Sequence, residues 1–164
     1  MTSSVTIRSA VQSDDKSIWR MIEPVFRAGE TYPLSRDISR TDAFTYWRAP
    51  GHEVFVAEDD GQIVGTYYLR SNNRGGGSHV ANCGYIVATD ASGRGVARAM
   101  CADSLVRARK RGFTAMQFNF VISSNERAVS LWQSCGFAII GALPGAFAHP
   151  TRGLVDAYVM YRKL

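Results

Sequence analysis

The sequence predicts an α+β fold: a mixed, mostly antiparallel sheet flanked by helices, in the order β-α-α-β-β-β-α-β-α-β-β. Three observations carry this reading. Segments with strand-type alternation outnumber segments with helical spacing, seven to four. Consecutive strands are joined by tight-turn chemistry, which builds antiparallel hairpins. One apolar strand stands alone between two helical segments, which makes the sheet mixed.

Val5 to Ser9 alternates apolar and polar residues and opens the chain as a strand. Ser13-Asp14-Asp15 supplies N-cap chemistry for a helix with Ile18, Trp19, Ile22, Val25 and Phe26 at helical spacing. Ala28 to Ser35 reads as a loop, and a short helix around Phe44 and Trp47 ends before Pro50-Gly51. Strands over Glu53 to Glu58 and Gln62 to Arg70 flank the hairpin turn Asp59-Asp60-Gly61. Asn72 to Ser78 is a glycine-rich turn, followed by a strand over His79 to Ala88. A helix over Gly93 to Arg111, a strand over Thr114 to Ile122 and a helix over Asn125 to Ser134 come next. Phe137 to Leu143 and Val155 to Arg162 complete the sheet.

With 164 residues, 46% hydrophobic and 20% charged, the chain has the composition of a globular domain, and a single domain over 1–164 is expected. No apolar run has the length of a membrane span, and the N-terminus lacks a signal-peptide stretch, so a cytoplasmic location is expected. Cys83, Cys101 and Cys135 are odd in number and widely spaced, which suits reduced thiols and neither a disulfide framework nor a metal site. The net charge of +5 is concentrated: residues 94–111 hold six cations and one acid, Asp103. A small polyanionic ligand suits that placement better than a nucleic acid. A solvated basic face at a helix end accounts for Arg107 to Arg111 equally.

The densest chemical signal is Tyr85-Ile86-Val87-Ala88-Thr89-Asp90-Ala91-Ser92-Gly93-Arg94-Gly95-Val96-Ala97, an apolar strand entering a Gly-x-Gly turn and then a helix. Glycines let main chain approach a ligand closely, and the free N–H groups of a helix start attract phosphate. Arg94 and Arg98, one turn apart, add cationic donors at that end. A turn that needs glycine only for its own geometry has the same pattern. A Walker loop is excluded because no Gly-Lys-Ser/Thr follows, and the third glycine of a dinucleotide fingerprint is absent.

Around this turn the sequence resembles the GNAT superfamily of acyl-CoA-dependent N-acetyltransferases. The family turn Q/R-x-x-G-x-G/A is matched by Ser92-Gly93-Arg94-Gly95-Val96-Ala97 except at its first position. A second element, N-x-x-A-x-x-L-Y-x-x-x-G-F, is matched by Asn125, Ala128, Leu131, Gly136 and Phe137, with Trp132 in place of tyrosine. The resemblance covers essentially the whole chain and implies a GNAT-like fold with acetyl-CoA as co-substrate and no metal. It implies that the backbone of Ile86, Val87 and Ala88 pairs with the pantetheine arm, and that the Val87 N–H polarises the thioester carbonyl. It also implies that Gly93, Arg94, Gly95, Val96, Ala97 and Arg98 hold the pyrophosphate, with Asn125 and Trp132 beside the arm. Gln117-Phe118-Asn119 and the ending Asp156 to Met160 look like small-molecule acetyltransferases. Indole cannot serve as a general acid, so Trp132 leaves the protonation of the departing thiolate to water, to another hydroxyl or to no group at all.

On the acceptor side, Gln117 and Asn119 share one face of an expected central strand. Asn119 is a candidate to bind the acceptor or orient a relay water, and an internal hydrogen bond is the alternative. Glu30 and Tyr32 lie where the family builds a substrate lid, and Glu30 and His79 are the candidate bases. Deprotonating a lysine-like amine at pH 7 costs about 4 to 5 kcal/mol, against about 1 to 1.5 for an α-amine near pKa 8. The expected partner is therefore a small-molecule amine, an amino acid or analogue, with no nucleic acid and no membrane; a homodimer stays open. A non-catalytic acyl-CoA sensor is the competing reading, sustained by Trp132.

Overall fold

The computed structural model describes residues 5–164, so residues 1–4 of the expected domain lie outside the described residues. The elements are β1 (Thr6–Ser9), α1 (Asp15–Ala28), α2 (Arg40–Trp47), β2 (Glu53–Asp59), β3 (Gln62–Ser71), β4 (Val80–Val87), α3 (Val96–Lys110), β5 (Ala115–Ile122), α4 (Glu126–Ser134), β6 (Ala138–His149) and β7 (Gly153–Lys163). The strands form one sheet in the order β1-β2-β3-β4-β5-β7-β6. Every neighbouring pair is antiparallel except β4 with β5, which is parallel. The order of elements is the one the sequence predicts.

Two boundaries differ in an informative way. The helix expected from Gly93 begins at Val96, because Gly93 and Gly95 have φ of +80° and +82°, left-handed values that no α-helical residue adopts. The strand expected to end at Leu143 runs on to His149, straight through Pro144 and Gly145. β6 is the edge strand, where a proline removes no ladder bond. A register shift between Leu143 and Phe147 absorbs the irregularity, and the Gly145 amide donates to Asp156 Oδ1 at 2.9 Å.

Each face of the sheet has its own core. On one, α1 and α2 bury Ile18, Ile22, Phe26 and Trp47 against Val54, Val56, Tyr68 and Ile86. On the other, α3 buries Val96, Met100, Cys101 and Leu105 against Phe55, Tyr67, Leu69 and Met116. Close approach of α3 depends on Gly65, where an added Cβ would meet Met100 Sδ and Val96 Cγ1, each at 2.9 Å. The start of α3 is therefore pressed against β3, beside the strand that carries Val87.

Candidate active site

The parallel pair β4–β5 holds together only at Val80–Ala115 and Ala81–Met116. At the next position the buried Asn82 side chain reaches across, Nδ2 donating to the Gln117 carbonyl at 2.8 Å. Beyond this fork the strands diverge, and the gap exposes main-chain groups of β4. Their direction follows from the β3–β4 ladder. The Ala88 N–H donates to the Val64 carbonyl at 2.8 Å, and the register pairs Thr66 with Ile86 and Gly65 with Val87. Hydrogen-bonded pairs alternate along an antiparallel ladder. The amides of Ile86 and Ala88 therefore point into β3, while those of Tyr85 and Val87 point into the gap. The Tyr85 carbonyl indeed accepts a bond from the Tyr32 hydroxyl, at 3.2 Å. Of the three residues expected to offer main chain to a ligand, Val87 has its main chain turned to the gap; Ile86 is engaged with β3, and Ala88 gives its amide to Val64 and its carbonyl to the Ala91 amide.

Two cavities meet in this gap. One, of about 330 Å³, lies towards α1 and α2, and the other, of about 430 Å³, lies towards α3 and α4. Tyr85, Val87, Asn125, Ala128 and Trp132 line both, so together they form one groove passing through the sheet.

On the α3 side the groove is lined by Gly93, Gly95, Val96, Ala97 and Arg98. Gly95 caps α3 with no side-chain bond, leaving the first amides of the helix to a ligand. Arg98 lines this cavity and donates to Ser134 Oγ at 2.9 Å. Arg94 behaves otherwise: its guanidinium forms an ion pair with the buried Asp59 and lines neither cavity. Its place is taken by Arg127, in the first turn of α4, whose Nη2 comes 3.9 Å from where a Gly93 Cβ would stand. Nothing in the sequence singled out Arg127; its only cue is its position two residues after Asn125. Arg107 and Arg111 pair with Asp103 and Glu53, so much of the concentrated basic charge is spent inside the fold.

Asn125 is the N-cap of α4, its Oδ1 accepting from the Ala128 amide at 3.4 Å. Trp132 leans on Tyr85 and Phe118, with ring centroids at 4.9 and 5.1 Å. It forms a wall where the two cavities join.

On the other side, Asn119 lines the cavity but is exposed, not buried as a central strand suggested. The reason is a register shift between Phe118 and Val121, which lifts Asn119 and Phe120 out of the ladder with β7. Asn119 Oδ1 accepts from Gln117 Nε2 at 2.9 Å, and its Nδ2 donates to Asn72 Oδ1 at 2.7 Å. The internal hydrogen bond expected as the alternative for Asn119 is therefore present, while its side chain still lines the cavity. Tyr32 lines the cavity and packs edge-on against Phe26 at 5.4 Å. Glu30 and His79 are exposed and line neither cavity, so the structure does not bring either candidate base to the groove.

The electrostatics of this side are unusual in lacking any base. Among the residues lining the cavity there is no carboxylate and no histidine; Arg70 is the one charged side chain. Burial pushes the Tyr32 and Tyr68 hydroxyls well above their ordinary value, so they remain protonated donors, and it does the same to Tyr85, whose hydroxyl lies on the α3 side, 2.7 Å from Ser104 Oγ. Burial likewise pushes the Cys83 thiol up to about 12, which removes it as a nucleophile at neutral pH. Tyr46 and Tyr68 face one another with hydroxyls 3.3 Å apart, and His52 stacks on Tyr68 at 4.3 Å. Tyr68 fits only because position 84 is glycine: a Cβ there would stand 2.6 Å from its Cε1.

Residues 16–137 match the sequence profile of the acetyltransferase (GNAT) family. The solved structure of a GCN5-related N-acetyltransferase from Kribbella flavida superposes with a TM-score of 0.93 at 40% identity, over 98% of both chains. An N-acetyltransferase of Schizosaccharomyces pombe is 26% identical over 148 residues, which is 80% of this chain and 71% of the relative. A phosphinothricin acetyltransferase from Sinorhizobium meliloti, solved in complex with acetyl-CoA, shares the fold with a TM-score of 0.86 at 22% identity, over 100% of this chain and 89% of that one.

Proposed function

The chain belongs to the acetyltransferase (GNAT) family, and from that premise we propose that residues 1–164 act as one domain that moves acetyl from acetyl-CoA to a small amine. The favoured acceptor is an amino acid or close analogue. The observation that carries the reading is the through-going groove, which joins an uncapped helix start to a gap-facing amide and then to a polar, base-free cavity.

The residues fit such a co-substrate. The amides from Gly93 to Ala97, with Arg98 and Arg127, suit a pyrophosphate. Asn125 and Trp132 wall the narrow passage, where an extended arm runs along β4. The Val87 N–H is aimed to donate to a thioester oxygen, and such a main-chain donor is worth most where charge develops during attack. Acetyl-CoA supplies an activated thioester whose sulfur departs as a thiolate.

On the acceptor side, Asn119 and Tyr32 orient the nucleophile. Without a carboxylate or imidazole in the lining, no side chain removes a proton from a strongly basic amine. An acceptor of low basicity, passing its proton to water held by the amide chain of Gln117, Asn119 and Asn72, meets that constraint. The protonated Cys83 leaves direct attack in a ternary complex as the route, with no acyl-enzyme.

Calorimetric titration of acetyl-CoA tests the cofactor half. Replacing Arg98 and Arg127 together by Ala lowers affinity by about tenfold or more, the effect shrinking at high salt, because charge-assisted bonds to phosphate are lost. Arg94→Ala leaves the affinity of the folded protein near that of wild type. The reverse ranking overturns this placement of the phosphates.

A further inference from the structure

We propose that Arg70 anchors the acceptor through an anionic group, so that the acceptor class is an amine bearing a carboxylate a few bonds from its nitrogen, as in an α-amino acid. The inference rests on the small-amine reading above and supplies its recognition element.

Among the described residues Arg70 is the only charged side chain in a cavity wall otherwise built of aromatic, aliphatic, amide and hydroxyl groups and of Cys83. It is half-buried near the end of β3, directly across from Asn82, the residue at the fork of β4 and β5. Six other arginines, Arg8, Arg27, Arg48, Arg94, Arg107 and Arg111, have carboxylate partners within the fold. Arg70 has none among the described residues; its Nη1 makes only long bonds to the carbonyls of Ser71 and Asn72, at 3.3 and 3.4 Å. Its Nε and Nη2 donors have no partner among the described residues. A guanidinium is a planar fork matched to a carboxylate, and a partly desolvated one without a counter-ion gains most from an arriving anion.

The position also sets a length. Val87 lies five residues beyond Asn82 along β4, about 16 Å at strand rise. Arg70 Nη1 rests on the Ser71 and Asn72 carbonyls, at the end of β3 away from Val87. Swung along β4 towards Val87, the extended arginine, a bond at each end and a short substrate would cover that span. The anion of such a substrate cannot be far from its amine. The same cation works against the competitors: a polyamine brings a second positive charge into a wall that holds no carboxylate, and a lysine side chain brings an amine remote from any free acid.

The test is CoA-thiol release with free amino acids, their α-carboxamides and the amines formally lacking the carboxylate. Wild type, Arg70→Gln and Arg70→Lys are compared, and acetyl-CoA affinity reports that each variant is folded. The expected result is a preference for the acids that falls about 10- to 100-fold in kcat/KM in Arg70→Gln, mostly through KM, and returns in part with Lys. The amides and decarboxylated amines are expected to change less than about threefold, since they make no such bond. Equal or better use of amides and amines by wild type, or an unchanged preference in Arg70→Gln, overturns the role of Arg70 and leaves the acetyltransferase reading standing. Release of thiol with peptide lysines alone overturns the small-amine reading, and Arg70's role falls with it.

Discussion

Trp132 shows how a single residue constrains the chemistry. It lines both cavities where they meet, against Tyr85 and Phe118, and an indole has no proton to give at neutral pH. In the proposed reading its contribution is a wall that positions the arm of the co-substrate. Trp132→Phe is therefore expected to retain turnover within about tenfold, since mainly packing changes. A fall of several orders of magnitude with acetyl-CoA affinity intact would make it part of the chemistry. The side chains that face the groove were only partly legible in the sequence. Val87, Gly93 and Gly95 belong to a spacing that has a mechanism. Arg94 belongs to the same spacing, yet the buried Asp59 thirty-five residues away captures it. That partner is set by the tertiary fold, which no local pattern reveals. Arg127 and Arg70 carry no motif at all. One is an exposed helix residue and the other ends an alternating strand, and only the diverging strands bring them to the groove.

At the scale of elements, the decisive unit is β4, its turn and α3. The helix cannot start earlier than Val96, because the two left-handed glycines before it hold the backbone open around amides that line the cavity. A side chain at Gly95 meets no atom within 4 Å, so its cost is conformational, about 1 to 2 kcal/mol for a left-handed residue. Gly95→Val is expected to leave a folded protein whose acetyl-CoA affinity is reduced at least tenfold, as measured by calorimetry, because the turn either strains or moves. Unchanged affinity would separate the glycine turn from cofactor binding. The alternation of β4 and β5 and the order of all eleven elements followed from apolar periodicity. The length of β6 did not. Pro144-Gly145 has the chemistry of a strand stop, and only its place at the sheet edge lets the strand continue.

Across the whole molecule, the sheet edge opposite that hairpin is clamped by charge. Arg8 of β1 bonds Asp14 Oδ2 at 2.7 Å, ahead of α1, and Glu58 Oε1 of β2 at 2.6 Å. The Val11 amide adds a bond to Asp14 Oδ2 at 2.8 Å. The Arg8 guanidinium holds the Asp14 carboxyl below its ordinary value of 3.8, outweighing burial, which acts the other way. A depressed carboxyl stabilises the fold above the unfolded value and loses that stability as the pH falls through the folded one. Thermal unfolding is thus expected to show Tm dropping as the pH is lowered below about 4, with Asp14→Asn less stable at neutral pH and flatter in acid. A variant with the same acid slope as wild type would assign that loss to other carboxylates.

In the proposed reaction the groove that crosses the sheet holds co-substrate and acceptor together, and the Cys83 thiol, pushed up by burial, does not carry the acyl group between them. Initial rates of CoA-thiol release with acetyl-CoA and a free amino acid, both varied, address that directly. Intersecting reciprocal plots are the predicted result, since attack requires the ternary complex. Parallel plots would demand an acyl-enzyme, and saturable acetyl-CoA binding with no thiol released for any amine would mark a binding domain without catalysis; either contradicts the account.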